Sequence, residues 1–230
     1  MNVFSIFDSI DGEVNHFGQG HITTFIRLAG CNLRCKYCDT IAAQETESGF
    51  DMSPSAIAEE AVKRKAFKVT ITGGEPLEQA EELAELVSTL SALHVFSTVE
   101  TNGSLPIPSM ACTWIADYKL KGSGMQKHMN LKNFDRLNPD SFIKFVCTNR
   151  ADYEEAKAVM VKIRERRRWA RFAISPAMPG LSANDLINWA VEDKLTSVIV
   201  NIQIHKLLDL TEDRGKPSEE KKFKAVKKVV

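Results

Sequence analysis

The chain has 230 residues, 43% of them hydrophobic, which is enough for one domain with a full core or for two small ones. Lys plus Arg equal Asp plus Glu at 30 each, so no overall charge draws the molecule to nucleic acid or anionic lipid. No run of about 18 apolar residues occurs, and the stretch from Met1 to Asp8 lacks a basic segment followed by an apolar core, so neither a membrane span nor a secretory signal is expected.

Along the chain, short β-rich runs alternate with helical patterns. Residues 22–29 read as a strand, with β-branched and aromatic side chains in sequence. Ser53-Pro54 opens a helix, Ser as N-cap and Pro at the first helical position. Its apolar face carries Ile57, Ala61 and Val62. Residues 67–72 read as a buried strand ending in Gly73-Gly74. Residues 77–90 follow as a helix, with Leu83, Leu86, Val87 and Leu90 on one face. Further strands are expected at 95–100, 113–118, 141–146, 171–175 and 197–202, and further helices near 152–168 and 182–193. This alternation predicts an α/β fold with a parallel sheet and right-handed crossovers. A strand count nearer six than eight suggests a partial (β/α)6 barrel, with its active site at the C-terminal strand ends. Residues 1–210 are expected to form the core domain, and 211–230 a charged tail read as an exposed helix or frayed end.

Chemistry concentrates in the run Cys31-Asn32-Leu33-Arg34-Cys35-Lys36-Tyr37-Cys38. Zinc sites usually take four ligands in separated pairs, and no second pair exists here. Buried reduced thiols are the other plain reading. Three thiolates can instead hold three irons of a [4Fe–4S] cube, whereas electron-transfer cubes normally use four cysteines. The open iron can take the amino and carboxylate groups of S-adenosylmethionine (SAM). Reduced thiols of this kind suit a cytoplasmic enzyme. Cys112 and Cys147 lie in apolar surroundings and read as buried free cysteines.

Other unusual residues also follow predicted strands. Thr72-Gly73-Gly74-Glu75-Pro76 offers two glycines where backbone can approach a ligand closely. Glu100-Thr101-Asn102-Gly103 is either an Asn-Gly turn or a ligand loop. Asp117-Tyr118-Lys119 and Ser175-Pro176 end later strands. Near the N-terminus, Glu13 is either in a surface turn or an acceptor for paired N–H donors. Arg27 is either in a strand-end salt bridge or a bidentate partner for a carboxylate.

The cysteine run, with an aromatic before its last Cys, resembles the radical SAM superfamily motif. The flanking Thr23-Thr24-Phe25-Ile26-Arg27-Leu28-Ala29-Gly30 and Cys38-Asp39-Thr40 resemble the 7-carboxy-7-deazaguanine synthase family. So do Ser9-Ile10-Asp11-Gly12-Glu13, which has Asp where the family has Gln, and Gln203-Ile204-His205-Lys206. The resemblance implies a radical SAM barrel that converts 6-carboxy-5,6,7,8-tetrahydropterin to 7-carboxy-7-deazaguanine with loss of ammonia. It implies a [4Fe–4S] cluster on Cys31, Cys35 and Cys38, and Mg2+ at Thr40. SAM contacts are expected from Tyr37, Gly74, Glu75, Thr101, Asn102, Asp117, Tyr118, Lys119 and Ser175. Substrate contacts are expected from Ile10, Gly12, Glu13, Arg27 and Thr72. A flavodoxin- or ferredoxin-type reductant and a homodimer complete the expectation, with no nucleic acid and no membrane partner. Asp11 and the divergent loop 14–20 leave room for an altered substrate. The rival readings are a glycyl-radical-enzyme activase and a non-catalytic iron–sulfur electron carrier that uses Cys112 or Cys147 as fourth ligand.

Overall fold

The computed structural model describes residues 1–204. The expected tail at 211–230, and His205 and Lys206, lie outside the described residues. The strands are β1 (Asn2–Ile10), β2 (Ile22–Leu28), β3 (Phe50–Asp51), β4 (Lys68–Gly73), β5 (Phe96–Thr101), β6 (Thr113–Asp117), β7 (Phe142–Cys147), β8 (Arg171–Pro176) and β9 (Val198–Val200). The helices are α1 (Pro54–Lys63), α2 (Ala80–Ala92), α3 (Arg150–Arg166) and α4 (Ala183–Glu192).

The described strands form one sheet in the order β3-β1-β2-β4-β5-β6-β7-β8-β9. From β2 to β9 every pairing is parallel, whereas β1 pairs antiparallel with both β2 and β3. The seven strands expected from sequence are the seven parallel ones. The antiparallel edge adds to that expectation: no strand is expected from the sequence of residues 2–10. Two crossovers also lack an α-helix. The chain passes from β5 to β6 without one, and from β6 to β7 through three short 3₁₀ turns at 121–134.

Alternation along each strand sorts side chains between two faces. One face packs against the helices and is apolar: Ile26 and Leu28, Val69 and Ile71, Val99, Trp114 and Ala116, Ile143 and Phe145, Phe172 and Ile174 all join one core. The concave face is polar although buried, with Thr23, Arg27, Lys68, Thr70, Thr72, Thr98, Lys144 and Ser175. An apolar helix layer over a polar lumen is what positions the site.

The helices start where their caps lie. Ser53 Oγ accepts from the Ala56 N–H, and Asn149 and Ser182 cap α3 and α4 in the same way. α2 begins later than expected, because a 3₁₀ turn at Pro76–Gln79 precedes it. In α1, Ile57, Ala58 and Ala61 are buried, but Val62 is exposed. One residue beyond Ala61 turns the side chain about 100° away from the core. Phe67 is exposed too; its ring meets Phe17 and Phe96 edge-on or tilted at the N-terminal mouth of the sheet.

The β1–β2 loop, residues 11–21, plugs that mouth. Asp11 pairs with Lys68 of β4 at one side, and Val14 packs on Phe142 and Ala173 at the other. Gln19 Nε2 donates to the Gly12 carbonyl, the Asn201 side chain and the Ile202 carbonyl. The loop thus bridges from β4 to the end of β9 across a sheet whose two edges do not pair.

Candidate active site

The cysteine loop follows β2 directly. Its backbone is fixed by Cys31 N–H to Gln44 O at 3.0 Å and Lys36 N–H to Ser123 O at 3.0 Å. Cys31, Cys35 and Cys38 are free thiols at intermediate exposure. Burial pushes the Cys31 and Cys35 thiols up, and the neighbouring cysteines add to the push. The Lys119 ammonium works in the opposite direction on Cys35. Among the described residues, no three His, Cys, Asp or Glu side chains converge as ligands of one metal ion. Three half-exposed thiols on one short loop are the donor set that three irons of a cube would take.

Beside this loop, β2, β4 and β5 are tied together at their ends. The Gly74 N–H donates to Leu28 O at 2.9 Å and the Glu75 N–H to Gly30 O at 2.8 Å. A Cβ on Gly74 would run into the Gly30 carbonyl oxygen, so only glycine lets the two backbones pass this closely. The Glu75 carboxylate is fully enclosed. One oxygen accepts from the Leu77 N–H and the Thr101 hydroxyl, the other from the Asn102 N–H at 2.6 Å. Its acceptors are therefore spent on shaping the turn after β5. Asn102 Nδ2 in turn reaches Asn32 Oδ1 at 2.9 Å and Cys31 Sγ at 3.8 Å. Burial pushes Glu75 up from 4.5 to about 7, against the three hydrogen bonds that favour its charge.

The lumen below holds a chain of charges. The Glu13 carboxylate accepts from Asn201 and Gln203 and lies 3.0 Å from Lys144 Nζ. Lys144 Nζ also faces Asp117 Oδ1 at 3.4 Å, and Asp117 Oδ2 accepts from Lys119 Nζ at 2.6 Å. Lys119 sits 5.9 Å from the centre of the Tyr37 ring. Against the upward push of burial, Lys119 and Lys144 hold Asp117 below the usual carboxylate range. Against the downward push of burial, the facing carboxylates raise both lysines. Glu100 looks into the same lumen and accepts from the Thr72 hydroxyl at 2.8 Å.

Two polar atoms in this region are buried without a hydrogen-bond partner: Tyr37 Oη and Asp117 Oδ1. Buried groups of this kind normally find partners. The unpartnered Tyr37 hydroxyl, with the Lys119 ammonium and three thiols near it, fits a ligand with amino, carboxylate and hydroxyl groups.

The remaining expected residues fall as follows. Arg27 of β2 is buried; its Nη1 donates to the Thr40 hydroxyl at 2.9 Å, and that hydroxyl approaches Asp39. Ile10 ends β1 opposite Ile22, and the buried Gly12 follows in the plug. The Ser175 hydroxyl is exchanged with Asn201, donating to its carbonyl and accepting from its amide. Tyr118 behaves differently from its neighbours. Its ring lies in the helix-side core, 6.0 Å from Phe134 and 5.8 Å from Phe145, so only its backbone reaches the concave side. Strand alternation explains this, since Asp117 points into the lumen and the next residue points out.

Sequence reading missed Lys144, Lys68 and Asn201 as lumen residues, and took Glu100 only as the first residue of a possible ligand loop. The signal was present for two of them. A lysine inside Phe142-Ile143-Lys144-Phe145 and another heading Lys68-Val69-Thr70-Ile71 are charges in otherwise buried strands. Asp11 also finds its explanation here. It is fully buried, pairs with Lys68, and accepts from Thr70 and from the Glu13 N–H. The carboxylate answers a lysine of this chain.

Thiols over the C-terminal ends of parallel strands, with a glycine turn beside them, define a class, and the Radical SAM superfamily model matches residues 25–190. The chain is a radical SAM protein. A 7-carboxy-7-deazaguanine synthase of Clostridium acetobutylicum is 36% identical over 91% of this chain and 96% of its own length. One from Koribacter versatilis is 33% identical over 94% of this chain and 100% of its own. The chain belongs to the 7-carboxy-7-deazaguanine synthase family. The fold likeness extends to QueE from Escherichia coli, with TM-score 0.67 at 20% identity over 88% of this chain and 93% of that one. Streptococcus suis SuiB shares the fold more distantly, with TM-score 0.54 at 19% identity over 76% of this chain and 47% of that one.

Proposed function

We propose that this protein is a radical SAM carbon–nitrogen lyase that converts 6-carboxy-5,6,7,8-tetrahydropterin to 7-carboxy-7-deazaguanine and ammonia, in deazapurine (queuosine-type) biosynthesis. The observation that carries the reading is a buried polar sheet face on which a carboxylate, Glu13, connects through Lys144, Asp117 and Lys119 to Tyr37 of the cysteine loop, while a buried guanidinium, Arg27, is bonded to Thr40 just past that loop. A carboxylated pterin presents the matching groups, paired N–H donors at one end and a carboxylate at the other.

Cys31, Cys35 and Cys38 would hold the cluster, which when bound would supply the one-electron reduction of SAM that starts hydrogen abstraction from C6 of the pterin. The protein does the rest by holding and enclosing. Lys119 and Asp117 meet the polar groups of SAM, the Gly74 backbone and the Thr101–Asn102 turn border it, and Tyr37 and Ser175 lie at its sides. Glu75 acts through the turn it shapes, and Tyr118 through its backbone. Glu13 accepts from the aminopyrimidine edge, Arg27 pairs with the substrate carboxylate, and Thr72, Ile10 and Gly12 complete the pocket. Thr40 offers a hard oxygen to Mg2+, which often takes few protein ligands. The plug at 11–21 excludes water from the lumen floor, so the radical meets no solvent from that side. An external flavodoxin- or ferredoxin-type protein delivers the electron to a cytoplasmic homodimer.

The electron-carrier alternative needs a fourth cysteine. Cys147 lies in the helix-side core, and Cys112 precedes β6 at the opposite end of the sheet from the cysteine loop. Both are buried, and burial pushes the Cys112 thiol up to about 12. The test is anaerobic: reconstituted protein with dithionite, SAM, Mg2+ and 6-carboxytetrahydropterin, followed by mass spectrometry. The expected result is 7-carboxy-7-deazaguanine. 5′-Deoxyadenosine alone would leave radical chemistry standing and remove the substrate; neither product from a loaded cluster would favour the carrier.

A further inference from the structure

The chain of charges from Glu13 to Lys119 links the two ends of the lumen. Four charged side chains from three segments stand in line: Glu13 in the plug, Lys144 on β7, and Asp117 with Lys119 at the end of β6. Among the described residues, Lys144 joins the two halves of that line. Its ammonium is 3.0 Å from Glu13 Oε2 and 3.4 Å from Asp117 Oδ1. The second contact is the longer and looser of the two, and its geometry leaves the buried Asp117 Oδ1 without a well-formed hydrogen bond. A small tilt of one ammonium would therefore complete an unmet acceptor.

We infer that Lys144 is a positioning residue that couples the substrate end of the lumen to the SAM end, making each ligand bind more tightly when the other is present. The inference rests on the proposed function for the identity of both ligands, and goes beyond it in assigning cooperativity to one side chain.

The direction follows from hydrogen-bond competition. Without substrate, Glu13 satisfies its acceptors with Lys144, Asn201 and Gln203. A ligand bearing paired N–H donors takes part of that acceptor capacity. Lys144 keeps its charge, and its nearest unmet acceptor is Asp117 Oδ1. As Lys144 closes on Oδ1, the Asp117 charge is shared more evenly between two ammoniums, which weakens the hold of Oδ2 on Lys119. Lys119, now held less strongly, turns to an incoming carboxylate near Tyr37. By linkage the effect is reciprocal, and couplings of this kind are commonly about 5- to 150-fold. Glu100 also faces Lys144 in the lumen. Its own carboxylate is hydrogen-bonded to Thr72, so Asp117 Oδ1 remains the unmet destination.

Binding can be measured without turnover. Anaerobic protein with a reconstituted but unreduced cluster is titrated with SAM, with and without 6-carboxytetrahydropterin, by calorimetry. In wild type the pterin should tighten SAM binding about fivefold or more, and SAM should tighten pterin binding by the same factor. Lys144→Met should bring both factors to about one, while Lys144→Arg, which keeps a cation in place, should restore coupling in part. A purely structural role for Lys144 would lower the melting temperature without removing the coupling selectively. Should Lys144→Met fail to fold, Asp117→Asn breaks the line at its other contact and should abolish the coupling. Wild type that binds both ligands independently, or Lys144→Met or Asp117→Asn with wild-type coupling, would overturn the inference. Wild type that binds SAM but no pterin would instead overturn the substrate reading, and the coupling with it.

Discussion

At the scale of single residues, burial decides how the charged groups behave. Burial first, and the Glu13 carboxylate second, push Glu100 from 4.5 to about 7. The unfolded chain loses that proton near 4.5, whereas the folded chain keeps it to about 7. Between those values the folded state binds more protons, so the Glu100 contribution is most favourable below 4.5 and declines as pH rises to about 7. Glu100→Gln does not titrate. The melting temperature of wild type relative to this variant should fall as pH is raised from about 5 to about 7; a flat or rising difference would remove the assignment. Asp11 and Lys68 make a different case, a buried pair whose partners cancel. Losing one partner of such a pair costs about 3–5 kcal/mol, because the other charge is left stranded. Lys68→Met should show a loss of this size in urea unfolding, and adding Asp11→Asn should recover part of it. Additive losses would mean that the two groups do not interact.

At the scale of elements, the site depends on how closely three strand ends approach. Gly74 lets the Gly30 carbonyl pass, and Glu75 ties the turn after β5 to the turn after β4. Gly74→Ala forces the cysteine loop and the glycine turn apart. We expect it to fold, since the core beneath is untouched, but to hold markedly less iron after reconstitution and to lose SAM binding. Iron content and a calorimetric titration check this, and full iron with normal SAM affinity would contradict it. The elements themselves were legible wherever a periodic pattern was long. The seven parallel strands and four helices were all anticipated, with Ser53-Pro54 marking one start to the residue. β1 and β3 were not, since β3 is a two-residue edge strand and both are defined by antiparallel pairing more than by a local pattern. The 121–134 crossover reads as neither helix nor strand, and the structure holds it with short 3₁₀ turns.

At the scale of the whole molecule, the two faces of the sheet separate two kinds of cysteine. Those of the loop stand over the lumen, while Cys112 and Cys147 belong to the helix-side core. Alanine at Cys31, Cys35 or Cys38 should each abolish cluster binding, measured as iron per chain. Cys112→Ala and Cys147→Ala should retain full iron and lose only stability. Loss of iron from either would revive the four-cysteine carrier. Among the described residues no helix is long and apolar enough to cross a membrane, consistent with the hydropathy of the chain.

Local order determined what could be read directly. The spacing of Cys31, Cys35 and Cys38, the Gly73-Gly74 turn and the strand-end positions of Thr101, Asn102 and Lys119 all depend on neighbours a few residues away. The class of chemistry was therefore visible in the chain itself. The tertiary structure alone decided what fills the lumen. Lys68 meets Asp11 across 57 residues and Asn201 meets Glu13 across 188, and no local pattern encodes such a meeting. It also decided which of two adjacent residues serves the site, turning Asp117 inward and Tyr118 into the core. Charge pairing in a buried space is settled by which strands lie opposite one another, and that is a property of the folded sheet.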